Sequence, residues 1–272
     1  MKKYKPTTAS RRHMTTVDYS SLSKVRPHKN LTVRLSSRGG RNSAGRITTR
    51  HQGGGNKKLY RLVDFNPAEG VAKVLTVEYD PYRTSFIALV QYENGKKAYF
   101  LAPSHIKVGD VMMVGGTAPA KPGNRLKLKD IPVGMQIFNV EIEPGKGGQI
   151  ARSAGNYAEL LAVSGKYADV KLPSGEVRRV PSEGMATIGS LSNQEWNLVQ
   201  IGKAGRSRWL GIRPTVRGTA MNPVDHPYGG GEGAQPRGTK RPKSFTGKVT
   251  GGRKTRNRKK WSNKFIVKHR NK

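Results

Sequence analysis

The sequence predicts a mainly β protein, with two consecutive small barrels in the middle of the chain between long basic N- and C-terminal extensions. Three observations predict it. The 272 residues hold 51 Lys and Arg against 17 Asp and Glu, a formal net charge of +34 at pH 7. That charge is uneven: residues 1–60 carry 15 basic and 1 acidic side chain, residues 201–272 carry 20 and 2, and residues 61–200 carry 16 and 14. Apolar residues run the opposite way, with 37 Leu, Ile, Val and Phe in the central 140 residues and 18 in the other 132. The middle can therefore bury a core, whereas the ends are too charged to fold around one and should order only against something anionic. Finally, 33 Gly and 16 Pro punctuate short runs of β-formers, the pattern of small antiparallel barrels.

The elements follow in order. Residues 1–58 form the basic N-terminal extension. Residues 59–65 read as a strand, closed by the turn 66–70. Residues 71–79 alternate, with Val71, Leu75, Val77 and Tyr79 on one face, although Lys73 interrupts it. Strands over 85–92 and 97–101 flank Asn94-Gly95, the dipeptide of a type I′ hairpin, which needs positive φ at both positions. Residues 115–130, with Pro119, Pro122 and Gly123, divide the first barrel (59–125) from the second (126–200). The second contains strands over 135–142, 158–163, 167–172, 176–180 and 185–189, with Pro173-Ser174-Gly175 as a hairpin turn. A short helix is expected over 192–201, with Ser192 as N-cap and Glu195 three residues on. Residues 201–272 form the Gly/Arg-rich C-terminal extension.

Composition excludes several classes. No apolar run approaches the ~18 residues of a spanning helix. The absence of cysteine removes disulfides, thiolate metal sites, iron–sulfur clusters and thiol nucleophiles. The N-terminus lacks the apolar segment of a secretory signal, though its Arg- and Ser-containing, acid-poor composition is similar to that of a transit peptide.

The basic extensions point to a polyanion. Lys and Arg neutralise phosphates and release counterions, and Gly lets backbone N–H groups approach them. An anionic membrane is the rival, disfavoured because neither extension supplies an amphipathic helix with aromatic residues. RNA is favoured over DNA, because no helix is long and basic enough for a major groove. In the basic C-terminal run, Arg253, Lys254 and Arg256 are candidate phosphate contacts. In the neutral middle, Arg83 ends Glu78-Tyr79-Asp80-Pro81-Tyr82-Arg83, and Arg152 lies among small residues that let a partner backbone approach. Two exposed arginines on turns are the ordinary reading; in a polyanion binder both become candidate phosphate clamps.

Enzyme signals are poor. Residues 40–47 mimic P-loop spacing, but Arg46 replaces the lysine and no Ser or Thr follows. Gly229, Gly231 and Ala234 match a loose dinucleotide fingerprint, but no strand precedes them and Pro236 stops a following helix. His226 stands where Asn222, Asp225 and Glu232 cluster, so it could act as a general base, yet one His makes a poor metal site. A positional or RNA-contact role is the more ordinary reading, with Arg217, Asn222, Asp225 and the turn Gly229-Gly230-Gly231 as companions. No metal site and no cofactor are predicted.

Residues 214–227, Pro-Thr-Val-Arg-Gly-Thr-Ala-Met-Asn-Pro-Val-Asp-His-Pro, resemble the signature of the family of the second large-subunit ribosomal protein, in its bacterial form. The opening Lys2-Lys3-Tyr4-Lys5-Pro6-Thr7, then Val77-Glu78-Tyr79-Asp80-Pro81, Ala151-Arg152-Ser153-Ala154-Gly155 and Lys264-Phe265-Ile266-Val267 fall in family order. The resemblance reads the basic N-terminus as the start of a mature bacterial protein rather than a transit peptide, and leaves an organelle-encoded member open. It implies an OB-like barrel followed by an SH3-like barrel, with extensions threading into RNA. Its implied partners are large-subunit rRNA, other ribosomal proteins and the small ribosomal subunit at a bridge, with no membrane and no small-molecule substrate. The implied place is a cytoplasmic ribosome, with the C-terminal region near the peptidyl transferase centre. The family's RNA-contacting arginines fall on Arg83 and Arg152, and its histidine discussed for peptide-bond formation falls on His226. Tyr228 stands where many bacterial members have a second His, which weakens any scheme needing two. The implied role is structural, not enzymatic; direct participation of His226 in peptidyl transfer, or a transient assembly factor, are the alternatives.

Overall fold

Most β-former runs between glycine turns become strands of one eleven-stranded sheet in the computed structural model, which describes residues 1–270 except 117, 234–236 and 253. The expected strand 59–65 is limited to Leu59–Arg61, which pairs instead with Thr32–Arg34 in a two-stranded sheet. The protein is mainly β, 29% strand against 11% helix, consistent with an OB-like and an SH3-like barrel. Its backbone packing separates two units, residues 1–36, 57–206 and 264–272 in one and 37–56 with 207–263 in the other.

In the first unit, β1 (Gly70–Glu78) pairs antiparallel with β2 (Ile87–Tyr92) and β4 (Val111–Val114), and β2 pairs with β3 (Lys97–Leu101). Before the bulge at Leu75, the buried face of β1 is not the one its alternation predicts; beyond it, the predicted Val77 is buried. Ala72 and Val74 are buried, a bulge at Leu75 adds one residue, and Val77 is buried beyond it. A β-bulge switches which parity faces the core. Lys73 is thereby exposed, and Tyr79 is 43% exposed. The Asn94-Gly95 hairpin forms, but only Gly95 has positive φ (+79°). The Tyr92 N–H bonds the Lys96 carbonyl and the Lys96 N–H bonds Asn94 Oδ1, giving a three-residue loop with glycine in the left-handed position instead of a type I′ turn.

A single parallel pairing, Val114 with Arg125, hands the sheet from β4 to β5 (Arg125–Lys127). The second barrel adds β6 (Gln136–Phe138), β7 (Ala158–Ser164), β8 (Tyr167–Lys171), β9 (Val177–Pro181) and β10 (Met185–Ile188), with β10 between β5 and β6. The expected strand over 135–142 is broken at Asn139, whose φ is +50°; beyond it Val140–Glu141 pairs with Gly148–Ile150. The helix near 192–201 is a 3-10 turn, Gln194–Leu198, and Ser192 does not cap it. The Ser192 hydroxyl is buried and accepts the Phe86 N–H instead. β11 (Ile266–Lys268), from the C-terminal extension, pairs with the edge of β9.

Each barrel has its own apolar centre: Val74, Val90, Phe100 and Met112 in the first, Ile137, Leu160, Val170 and Ile188 in the second. Leu101, Phe138 and Leu191 form a third cluster against which Val63, Phe65 and Ala151 pack. Arg125 and Glu141 are 2% and 1% exposed and meet at 2.8 Å. Arg125 also donates to the Asn139 carbonyl at 2.8 Å, and Glu141 Oε2 accepts the Gly145 and Met185 N–H groups.

The second unit is held differently. Among the described residues, no apolar side chain of 37–56 or 207–263 is buried. Its backbone pairs instead: the Gly53 N–H bonds the Gly211 carbonyl at 2.7 Å, and the Arg213 N–H bonds the His51 carbonyl at 3.0 Å. Gly55 has φ of +64°, and a Cβ there would lie 2.9 Å from the Trp209 carbonyl oxygen, so glycine permits this approach. Among the described residues these segments lack an apolar core, as their composition requires, and they pair with each other through glycine-rich backbone.

Two outcomes follow from the buried polar groups. Glu141→Ala leaves Arg125 buried without its carboxylate and is expected to lower unfolding stability by about 3–5 kcal/mol in urea titration. Tyr99, fully buried, accepts the His28 N–H and donates to Glu78 Oε2 at 2.9 Å; burial pushes its phenol up to about 12. The fold favours the neutral phenol, so this contribution is complete below pH 10 and lost as pH rises through about 12. Urea midpoints measured across that window should fall in the wild type and fall less in Tyr99→Phe.

Candidate nucleic-acid interface

Phe65, anchored on the Leu101–Phe138–Leu191 cluster, brings the two predicted arginine loops together. The Arg83 guanidinium carbon lies 5.5 Å from the centre of the Phe65 ring and that of Arg152 lies 4.5 Å from it. Arg83 also stacks on Tyr60 at 5.1 Å, Tyr60 meets Tyr82 edge-to-face at 5.3 Å, and Lys58 stands 5.7 Å over Tyr82. The result is a ladder of cations and rings, each cation–π contact worth ~0.5–1 kcal/mol where exposed and more where desolvated. It walls a cleft of about 720 Å³ that also includes Thr84, Gln149 and Ser153.

The two arginines are not equivalent. Arg83 is 14% exposed and ion-paired with the fully buried Asp80. Its second amino group donates to the Tyr60 hydroxyl at 3.1 Å. Much of its donor capacity and its charge is therefore used inside the loop. Arg152 is exposed and donates to the Gly148 carbonyl at 3.1 Å, leaving most of its donor fork toward the cleft. The small residues around Arg152 admit the protein's own chain. A Cβ on Gly148 would lie 2.1 Å from Asn139 Oδ1, one on Gly147 would lie 3.1 Å from the Phe65 backbone, and one on Gly155 would lie 2.8 Å from Gln194 Cα.

The second unit carries the other predicted residues. The loop 221–230 closes on itself: the Asp225 and His226 N–H groups bond the Asn222 carbonyl, and the Gly230 N–H bonds the Met221 carbonyl at 3.1 Å. Gly229 and Gly230 serve this closure, since a Cβ would lie 2.2 Å from the Asn222 oxygen or 2.8 Å from Pro223 Cγ. Gly231 continues with φ of +84°. His226 lies against Gly218, where a Cβ would come within 2.5 Å of the ring, and its Nδ1 accepts the Tyr228 N–H at 3.1 Å. In the neutral ring Nε2 then carries the proton and presents a donor, whereas a general base needs an acceptor. Tyr228 lies 4.9 Å from the His226 ring, and its hydroxyl accepts the Lys243 N–H. Asn222, Asp225, Arg217 and Lys254 are exposed. Arg256 bonds Asn263 Oδ1 at 2.7 Å and Ser262 Oγ at 3.1 Å, so it braces its own turn. Arg253 lies outside the described residues. No group of three or more His, Asp or Glu suited to a metal occurs among the described residues.

Comparison with known families adds an independent observation. Residues 28–114 match the RNA-binding N-terminal domain of ribosomal proteins L2, and residues 121–247 match the C-terminal domain of the same proteins. The chain belongs to the ribosomal protein L2 family. Membership carries a ribosomal, rRNA-binding structural role. The first match includes Phe65 and Arg83, the second Arg152 and His226, so the cleft draws residues from both domains of the family.

Both arginines were candidates from sequence, whereas Tyr60, Phe65, Tyr82 and Lys58, which stand with them, were not. A signal was present, because Lys57-Lys58-Leu59-Tyr60-Arg61 interleaves cations with an aromatic. What separates the arginines experimentally is burial. Arg83→Ala strands the buried Asp80 and is expected to cost about 3 kcal/mol of unfolding stability. Arg152→Ala loses one exposed cation–π contact and should cost no more than about 1 kcal/mol in the same denaturant titration.

Proposed function

We propose that the chain is a structural constituent of the large ribosomal subunit, holding large-subunit rRNA at the Phe65 cleft and the 221–230 loop. The observation that carries this reading is the convergence of Arg83 and Arg152 on one ring. Phosphate contacts position an RNA and aromatic faces take unstacked bases, and this cleft offers both. Arg152 is the phosphate clamp, and Arg83 holds the aromatic wall in place. Arg217, Asn222 and Asp225 face outward from the second unit to meet RNA, with Lys254 and Arg253 adding charge. The resemblance to the bacterial family extends the reading to support of subunit association, contact with other ribosomal proteins and the small subunit, and a C-terminal region near the peptidyl transferase centre of a cytoplasmic ribosome. Among the described residues no helix is long and apolar enough to cross a membrane.

His226 acts in this reading as a positioned hydrogen-bond donor rather than a catalyst, because Nδ1 is already engaged by the Tyr228 N–H. The test has two arms. Full-length Arg152→Ala should bind deproteinised large-subunit rRNA more weakly by about 1–3 kcal/mol, the range of a hydrogen bond to a charged group. Assembled subunits carrying His226→Gln should keep the wild-type rate of peptide-bond formation. Unchanged RNA affinity would remove the clamp, and loss of the chemical step in fully assembled particles would make His226 a catalyst.

A further inference from the structure

Beside the arginine cleft lies a second, smaller one of about 270 Å³, lined by Gly155, Asn156, Tyr157, Glu159, Lys171 and Pro173 among others. The two are adjacent, since Asn156 and Pro173 line both. Their chemistry differs. In the smaller cleft the one cation, Lys171, is ion-paired with Glu159 at 2.9 Å, so the charge that would attract a phosphate is cancelled. Tyr157 is 43% exposed and takes part in no ring pair among the described residues. Asn156 is half-buried, and its carboxamide makes no hydrogen bond among the described residues. That group offers donors and an acceptor at the wall between the clefts.

A small, electrically neutral recess with an exposed ring and an unused amide suits a flat, neutral, hydrogen-bonding group. Its volume, just under the ~300 Å³ lower bound of ordinary ligand pockets, admits one ring system and not a duplex. We infer that this recess is a subsite for a single unpaired nucleobase of the RNA whose phosphate Arg152 holds, the base stacking on Tyr157 and meeting the Asn156 carboxamide at its edge. The inference rests on the proposed clamp and deepens it: the larger cleft engages the backbone, and the smaller one selects for a nucleotide free to leave a helix. Duplex RNA alone cannot satisfy both, because its bases are stacked and paired.

The test uses full-length wild type, Tyr157→Ala, Tyr157→Phe and Arg152→Ala with deproteinised large-subunit rRNA. Salt is held at a physiological level, so that the charge-dependent Arg152 contact and the stacking contact both remain measurable. Tyr157 is exposed, so its variants should melt with the wild type. Loss of one stacking platform is expected to weaken Tyr157→Ala about tenfold, while Tyr157→Phe keeps the wild-type affinity. In 2′-hydroxyl acylation footprints, one unpaired nucleotide protected by wild type and Tyr157→Phe should become reactive with Tyr157→Ala. Wild-type affinity and footprint in Tyr157→Ala, with binding still impaired in Arg152→Ala, would overturn the subsite and leave the clamp standing. Wild-type behaviour in both would overturn both, and equal weakening in Tyr157→Phe and Tyr157→Ala would exclude stacking.

Discussion

The Arg125–Glu141 ion pair is the constraint from which the first unit's site is built. Both side chains are almost fully buried, so neither can be left unpaired without a large desolvation cost. Arg125 lies where the sheet passes from β4 to β5, and its other amino group holds the Asn139 carbonyl at the break in the β6 segment. Glu141 takes the Gly145 N–H and so restrains the loop that follows. Gly148 in that loop bonds the Phe65 carbonyl, and Asn66 bonds the Gly145 carbonyl from the other side. A charge pair inside the fold thus sets the place of an aromatic ring at the surface, and that ring sets the two arginines.

In the proposed function, this arrangement is how a nearly neutral pair of barrels would meet a polyanion. The +2 of residues 61–200 is too small for steering, so such contacts would depend on where a few cations are held. Asp80 uses the charge of Arg83 to stiffen the loop, and Glu159 uses that of Lys171. Arg152 is left with the best-presented donors. The surplus charge resides in the extensions, where no apolar side chain is buried between 207 and 263 among the described residues and glycine backbone takes the place of a core.

The errors of the sequence reading have a common origin. Alternation chose the wrong face for the first half of β1, because a bulge at Leu75 leaves no mark in a hydrophobicity pattern. Ser192 carried the residue type of a helix cap, but its hydroxyl was claimed by Phe86, distant in the chain. The glycines near Arg152 and in the 221–230 loop were recognised as sites of close approach, but the approaching backbone is the protein's own. In each case a local signal was read correctly as a capacity, and a partner remote in sequence decided its use.

By itself the sequence determined the class of partner, the β character, the division into a neutral middle and basic ends, and the candidate arginines. These follow from composition, period and turn chemistry, which are local or additive properties. Only the tertiary structure decided that Arg83 and Arg152 share the Phe65 ring, that Arg83 is internally neutralised, and that residues 37–56 and 207–263 pair with each other. Those are contacts between residues far apart in the chain, chosen by desolvation and steric fit. Neither can be summed from the residues before the chain has closed on itself.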